Sequence, residues 1–169
     1  MVNYYCLQKI KKSMADLEKF GIVLGRGKPY EEALYSLALI YSICDNRLNS
    51  YLRKYSLNTG KLNILVAIRH HGRARGLSQV DISKHLIVTP SNMTKLIDKL
   101  EKEGLVTRSA LEGDRRVNII KVTRKCENLL DGMWDEYTRE LSRPMDKLSE
   151  KDKKIIAAQL VKWLKALLS

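Results

Sequence analysis

Residues 78–123 read SQVDISKHLIVTPSNMTKLIDKLEKEGLVTRSALEGDRRVNIIKVT, and their punctuation decides the fold. The order is helix, tight turn, helix, strand, basic loop, strand. Ser78 with Asp81 resembles a capping box and opens a short helix, with Ile82 and Leu86 on its buried side. Thr89 is a good N-cap, and Pro90 fits the first helical position, where no N–H is needed. The helix expected over 90–103 has two faces. Met93, Leu96, Ile97 and Leu100 form a core stripe, and Ser91, Asn92, Thr94, Lys95, Lys99 and Lys102 lie mostly elsewhere. Gly104 stops it. Residues 105–108 and 117–122 read as paired strands. The loop between them, 109–116, carries Gly113-Asp114 as its turn signal and Arg115 and Arg116 at its base.

Small polar residues at the start of the second helix let a helix end approach base edges and phosphates closely, with free N–H groups for phosphate. A plain solvated face would carry the same residues, so the helix alone does not decide. The flanks do. An arginine on a thin β-loop can reach into a narrow minor groove. Asp114, two residues before Arg116, can orient that guanidinium through a forked hydrogen bond.

The totals agree with such a surface. The chain has 169 residues, 44% hydrophobic and 30% charged, which makes it globular and long enough for a core without disulfides. Its net charge of +12 favours a polyanionic partner, nucleic acid before acidic membrane. Residues 59–123 hold 12 basic and 6 acidic side chains, half of that excess. Cys6, Cys44 and Cys126 are odd in number and lack CxxC spacing, which argues against a disulfide framework or zinc knuckle and for a reducing, cytoplasmic compartment. The N-terminus lacks the apolar run of a signal peptide, and no segment approaches 18 uninterrupted apolar residues.

Upstream, residues 3–20 carry helical spacing and are broken by Gly21, Gly25, Gly27 and Pro29. The piece GIVLGRGKP fails the phosphate-loop pattern, because Pro29 follows Lys28, and reads as a hinge. Residues 30–55 form one long amphipathic helix through Leu34, Leu37, Ala38, Tyr41, Cys44, Leu48, Tyr51 and Leu52. Thr59 is expected to cap the next helix, about 60–71, and Gly72 to take the left-handed position after it. His70 and His71 sit where a helix C-terminus favours positive charge; with His85 they make three scattered histidines and a poor metal set. Downstream, a stripe runs through Cys126, Leu130, Met133, Trp134 and Leu141. Pro144 breaks it. Ser149 with Asp152 starts a second stripe through Ile156, Leu160, Trp163, Leu164 and Leu167.

The central stretch resembles the winged helix-turn-helix of MarR-type transcriptional regulators. The residues that carry the likeness are Ile82 to Leu86, Thr89 to Val106 and Arg108. Asp114, Arg116, Ile120, Val122 and Thr123 then match a D-x-R-x-x-x-[VI]-x-[LV]-T pattern. With the flanking helices it covers roughly residues 30–168. The resemblance implies a mainly α fold with a small β-hairpin wing, a winged helix-turn-helix plus a helical dimerisation region. The expected divisions are an N-terminal helical extension (1–28), a dimerisation region (29–58 and 124–169) and a DNA-binding domain (59–123). It also implies a homodimer on a pseudo-palindromic operator in double-stranded DNA, with the second helix in the major groove and Arg116 in the minor groove.

On this reading Ser78, Thr89, Ser91, Asn92, Thr94, Lys95, Lys99, Arg108, Asp114, Arg115 and Arg116 make up the DNA surface. Lys95, Lys99, Arg108 and Arg115 meet phosphates, and Asn92 suits an adenine edge. Regulation is expected as repression, with release by a small aromatic or phenolic effector in a crevice near Tyr41, His71 and Trp134, residues equally suited to a core. The alternatives are a non-specific nucleoid binder, a winged-helix module for protein contacts, and a redox sensor at Cys44 or Cys6. No nucleophile–base pair, paired carboxylates or metal cluster points to an enzyme, and no cofactor or membrane partner is expected.

Overall fold

A computed structural model describes residues 28–86, 92–111 and 113–169, with the backbone alone at 114–116. The helix expected over 3–20, the glycine-rich piece up to residue 27, Cys6, and the turn residues Thr89, Pro90 and Ser91 lie outside the described residues. The chain divides into two compact units between Asp45 and Asn46.

Of the first unit, the described part is the opening of helix α1, Pro29–Leu52. Pro29 suits a helix start, since it lacks the N–H that the first turn would leave unpaired. Lys28 Nζ meets Glu31 at 3.0 Å. Leu34, Leu37, Ile40, Tyr41 and Ile43 are all exposed on this segment.

The second unit begins with the end of α1, where Tyr51 and Leu52 are buried, and a 3-10 turn, Arg53–Tyr55. Helix α2 spans Thr59–Ala67. Its N-cap is Asn58, not Thr59. Asn58 is extended, and its side-chain oxygen accepts the Lys61 N–H at 2.8 Å. Thr59 enters the helix and donates its own N–H to Asn49 Oδ1 at 2.9 Å. Both residues are good caps, and the bond from Thr59 to Asn49 leaves the capping position to Asn58.

A second correction concerns the end of this helix. It widens into a π-turn over Ile68–Gly72, and the left-handed residues are Arg73 (φ 45°) and Gly76 (φ 76°) rather than Gly72. Gly72 serves packing instead, because a Cβ there would lie 3.2 Å from Leu77 Cγ. At Gly76 a Cβ would lie 2.6 Å from the Ile120 carbonyl oxygen, so positive φ and close approach both require glycine.

Strand β1 (Leu77–Ser78) leads into α3 (Gln79–Lys84). Helix α4 (Met93–Lys102), strands β2 (Val106–Leu111) and β3 (Asp114–Val122), and helices α5 (Arg124–Ser142) and α6 (Glu150–Leu168) follow. The sheet is antiparallel in the order β1-β3-β2. The hairpin was expected; β1 was not, since two residues are too few to show alternation. Ser109, Ala110 and Leu111, expected in the loop, belong to β2, and β3 starts at Asp114. A register shift between Ala110 and Leu111 lets Leu111 pair with Asp114, and Gly113 takes φ 86° at the turn.

One core joins the elements of this unit other than α6: Leu52, Leu62, Ile64, Leu65, Ile68, Ile82, Ile97, Leu100, Val106, Ile120, Leu130 and Met133 are each at most 2% exposed. The stripe expected on α4 is there, with Met93 8%, Leu96 7%, and Ile97 and Leu100 at 0%. Tyr51 donates its hydroxyl to the Met133 carbonyl at 3.0 Å and so ties the end of α1 to α5. Pro144 falls in a 3-10 turn, Arg143–Met145, as the break required. Ser149 accepts the Asp152 N–H at 3.1 Å and caps α6. That helix buries no residue, and Ile156, Leu160, Leu164 and Leu167 stand exposed along it.

Candidate nucleic-acid interface

The site is built around α4, whose apolar stripe fixes what the rest of the helix can present. With Met93, Leu96, Ile97 and Leu100 turned inward, Asn92, Thr94, Lys95 and Lys99 are exposed. Helix α4 starts at Met93, three residues later than expected, and Asn92 holds the capping position without a side-chain cap bond. Its amide is therefore not consumed by the helix end.

The C-terminal end of α4 is tied down by an unexpected group. Lys61 is 6% exposed, and its Nζ lies 2.6 and 2.8 Å from the two carboxylate oxygens of Glu103 and 2.9 Å from the Ser56 carbonyl. Lys125 Nζ donates to the Glu103 carbonyl at 2.8 Å, and the Thr123 hydroxyl to the Gly104 carbonyl at 2.8 Å. Gly104 itself turns the chain with φ 70°. The helix that would enter a groove is thus held by α2 and α5 together. The sequence signal for Lys61 was a single lysine inside an apolar helix, which reads as easily as an exposed one.

Arg108 was expected to meet phosphate. Its guanidinium instead pairs with Asp98 and reaches Glu101 at 3.5 Å, so it braces β2 against α4. Ser78 is also occupied: its Oγ accepts the Asp81 N–H at 3.1 Å and donates to Asp81 Oδ2 at 2.7 Å. Lys84 first, and then Ser78, hold the Asp81 carboxyl below the usual range by hydrogen bonding. This capping box was legible, and its consequence is that Ser78 acts within the fold. Gln79, which sequence reasoning passed over, donates from Nε2 to Thr94 Oγ1 at 2.8 Å and links α3 to α4. The wing strands place Asp114, Arg115 and Arg116 at the start of β3; their side chains, and with them the expected Asp114–Arg116 bond, lie outside the described residues.

The three histidines are not scattered. His71 lies flat on His85, ring centroids 3.8 Å apart and 4° from parallel, and His70 is 5.9 Å from His71. Loss of water around the ring, then the neighbouring His85 and His70, push the His71 pKa below its ordinary value. The helix-end preference for a cation is therefore outweighed here. Among the described residues no group of His, Cys, Asp or Glu side chains is arranged to hold a metal.

Of the expected effector residues, Trp134 borders an open cavity of about 450 Å³ that is also lined by Val66, Arg69, His70, Leu130 and Asp131. His71 is stacked on His85 rather than among these, and Tyr41 is exposed in the first unit. Arg69 forms an ion pair with Asp131. Cys126 is buried, and burial first of all pushes its thiol up to about 11. No helix among the described residues is long and apolar enough to cross a membrane.

Residues 57–117 match the model of the MarR family. The chain is 29% identical over 103 residues to the HTH-type transcriptional regulator YfiV of Bacillus subtilis, a match that covers 61% of this chain and 62% of that protein, just under two thirds of its length. A MarR-like transcription regulator from Bacillus cereus superposes with a TM-score of 0.76 at 19% identity, over 83% of this chain and 99% of that one. Sco3205 of Streptomyces coelicolor, a MarR-family regulator solved in complex with DNA, gives a TM-score of 0.71 at 19% identity, over 84% and 90%. At these identities the two superpositions establish the fold.

Proposed function

Because residues 57–117 form a MarR-family winged helix-turn-helix domain, we propose that this chain is a DNA-binding transcriptional regulator that represses by occupying a pseudo-palindromic operator as a homodimer. The observation that carries the reading is the placement of Asn92, Thr94, Lys95 and Lys99 on the exposed side of a helix whose other side is locked into the core. A helix held so rigidly, with short polar groups at its start and lysines further along, suits the major groove. Thr89, Ser91, Asn92 and Thr94 face bases or neighbouring phosphates. Lys95, Lys99 and Arg115 neutralise phosphates, and Arg116 enters the minor groove with Asp114 as its orienting partner. Arg108 supports the wing from within.

A second copy of the chain supplies what covers α6. Nineteen residues of amphipathic helix with no buried side chain would not hold their place alone. A two-fold pair sets its recognition helices about 34 Å apart, one turn of duplex.

Release by a small aromatic acid is the regulatory part of the proposal. The cavity beside Trp134 supports it through the indole, which suits an aromatic ring, and His70, which can donate to a carboxylate; Arg69 is paired with Asp131, and Asp135 also lines the wall.

The test is the salt dependence of binding to a fixed duplex. Lys95→Ala and Lys99→Ala are each expected to flatten the slope of log K against log salt by about 1.8, one phosphate contact in each of the two subunits. Slopes equal to that of the parent would remove α4 from the interface.

A further inference from the structure

Gln79 and Thr94 lie 15 residues apart, on different helices, and are joined by one hydrogen bond of 2.8 Å. Packing does not require it. Thr94 is exposed, Gln79 is half-buried, and the residues that hold the two helices in the core are Ile82 on one and Met93, Leu96, Ile97 and Leu100 on the other. A bond between water-accessible groups contributes little net stability. Both residues border an open cavity of about 600 Å³ between α3, α4 and the sheet. The strong cation on that border, Arg108, is already committed to Asp98 and Glu101.

We propose that Gln79 and Thr94 act as one base-reading unit, with Gln79 the positioning residue and guanine the base preferred; this rests on the DNA-binding reading above. With one Gln79 N–H seated on Thr94 Oγ1, the threonine hydroxyl hydrogen is turned outward as a donor. The glutamine amide keeps a second N–H. The pair therefore offers two adjacent donors. In the major groove two adjacent acceptors, N7 and O6, occur together only on guanine; adenine sets a donor beside its N7. A free threonine hydroxyl would rotate and accept or donate equally, so discrimination depends on the glutamine.

The experiment measures binding to a set of duplexes in which each position of the preferred site is replaced in turn by the other three bases. The parent protein prefers guanine roughly ten-fold at one position in each half-site. Gln79→Ala reduces that preference to near two-fold and leaves the other positions unchanged. Gln79→Glu cannot donate and accepts the hydroxyl hydrogen instead, so the preference at that position moves towards bases that carry an amino group there. Thr94→Ser retains the guanine preference and Thr94→Val loses it. The unfolding midpoint of each variant, equal to that of the parent, separates these changes from misfolding. An even loss of affinity over all positions in Gln79→Ala, or an unchanged profile, overturns the proposal. A flat profile in the parent protein would instead remove specific DNA recognition itself, and this inference with it.

Discussion

Lys61 carries its ammonium into the protein and sets it 2.6 Å from Oε1 of Glu103, joining α2 to the far end of α4. The two partners are unequally buried, with side-chain exposures of 8% and 34%. Removing the carboxylate strands a buried cation, while removing the cation leaves a carboxylate that water reaches. Glu103→Ala is therefore expected to lower the unfolding free energy by about 3 kcal/mol, and Lys61→Met by about half of that. Urea denaturation decides. A larger loss in Lys61→Met would mean that the pair does not carry the burial assigned to it.

The face-to-face rings of His71 and His85 give stability a pH dependence. The His71 pKa lies below its ordinary value of 6.5, through lost hydration first and the neighbouring imidazoles next. The unfolded chain then binds a proton that the folded chain resists. The contribution is complete above about pH 6.5 and declines as pH falls through that value. Groups facing the stack are His70 and, beside His85, Asp81 with Lys84. Between pH 7.5 and 5.5 the unfolding midpoint of the parent should fall more than that of His71→Asn. Parallel curves would refute the stack as the source.

Cys126 is expected to be inert. Raising a thiol from 9.0 to about 11 leaves about a hundredfold less thiolate at neutral pH. Iodoacetamide at pH 8 should label Cys126 only on unfolding, as read by mass spectrometry of the digested protein. Rapid labelling of the native chain would contradict its burial.

Much of this arrangement was legible because local chemistry and global fold agree. Pairs such as Ser78 with Asp81 and Ser149 with Asp152 mark helix starts by a short-range bond, and both are formed. The α4 stripe was read correctly because four apolar residues at helical spacing leave one way to face the core. What was missed is what long-range contact decides. Asn58 and Thr59 are equivalent caps until Asn49 supplies a partner for one of them. Strand β1 exists because β3 lies beside it, with Leu77 opposite Ile120. Arg108 and the three histidines carry no mark in the sequence of the partners that claim them. Gln79 was overlooked because its value lies in a bond across to another helix.

The central claim is that α4 and the wing of two paired chains read one symmetric DNA site. Selection of bound duplexes from a random pool tests it most directly. The account predicts a shared motif of two inverted half-sites with centres about 10 base pairs apart, bound by two chains. A recovered pool with no common motif, and affinity set by salt alone, would contradict it.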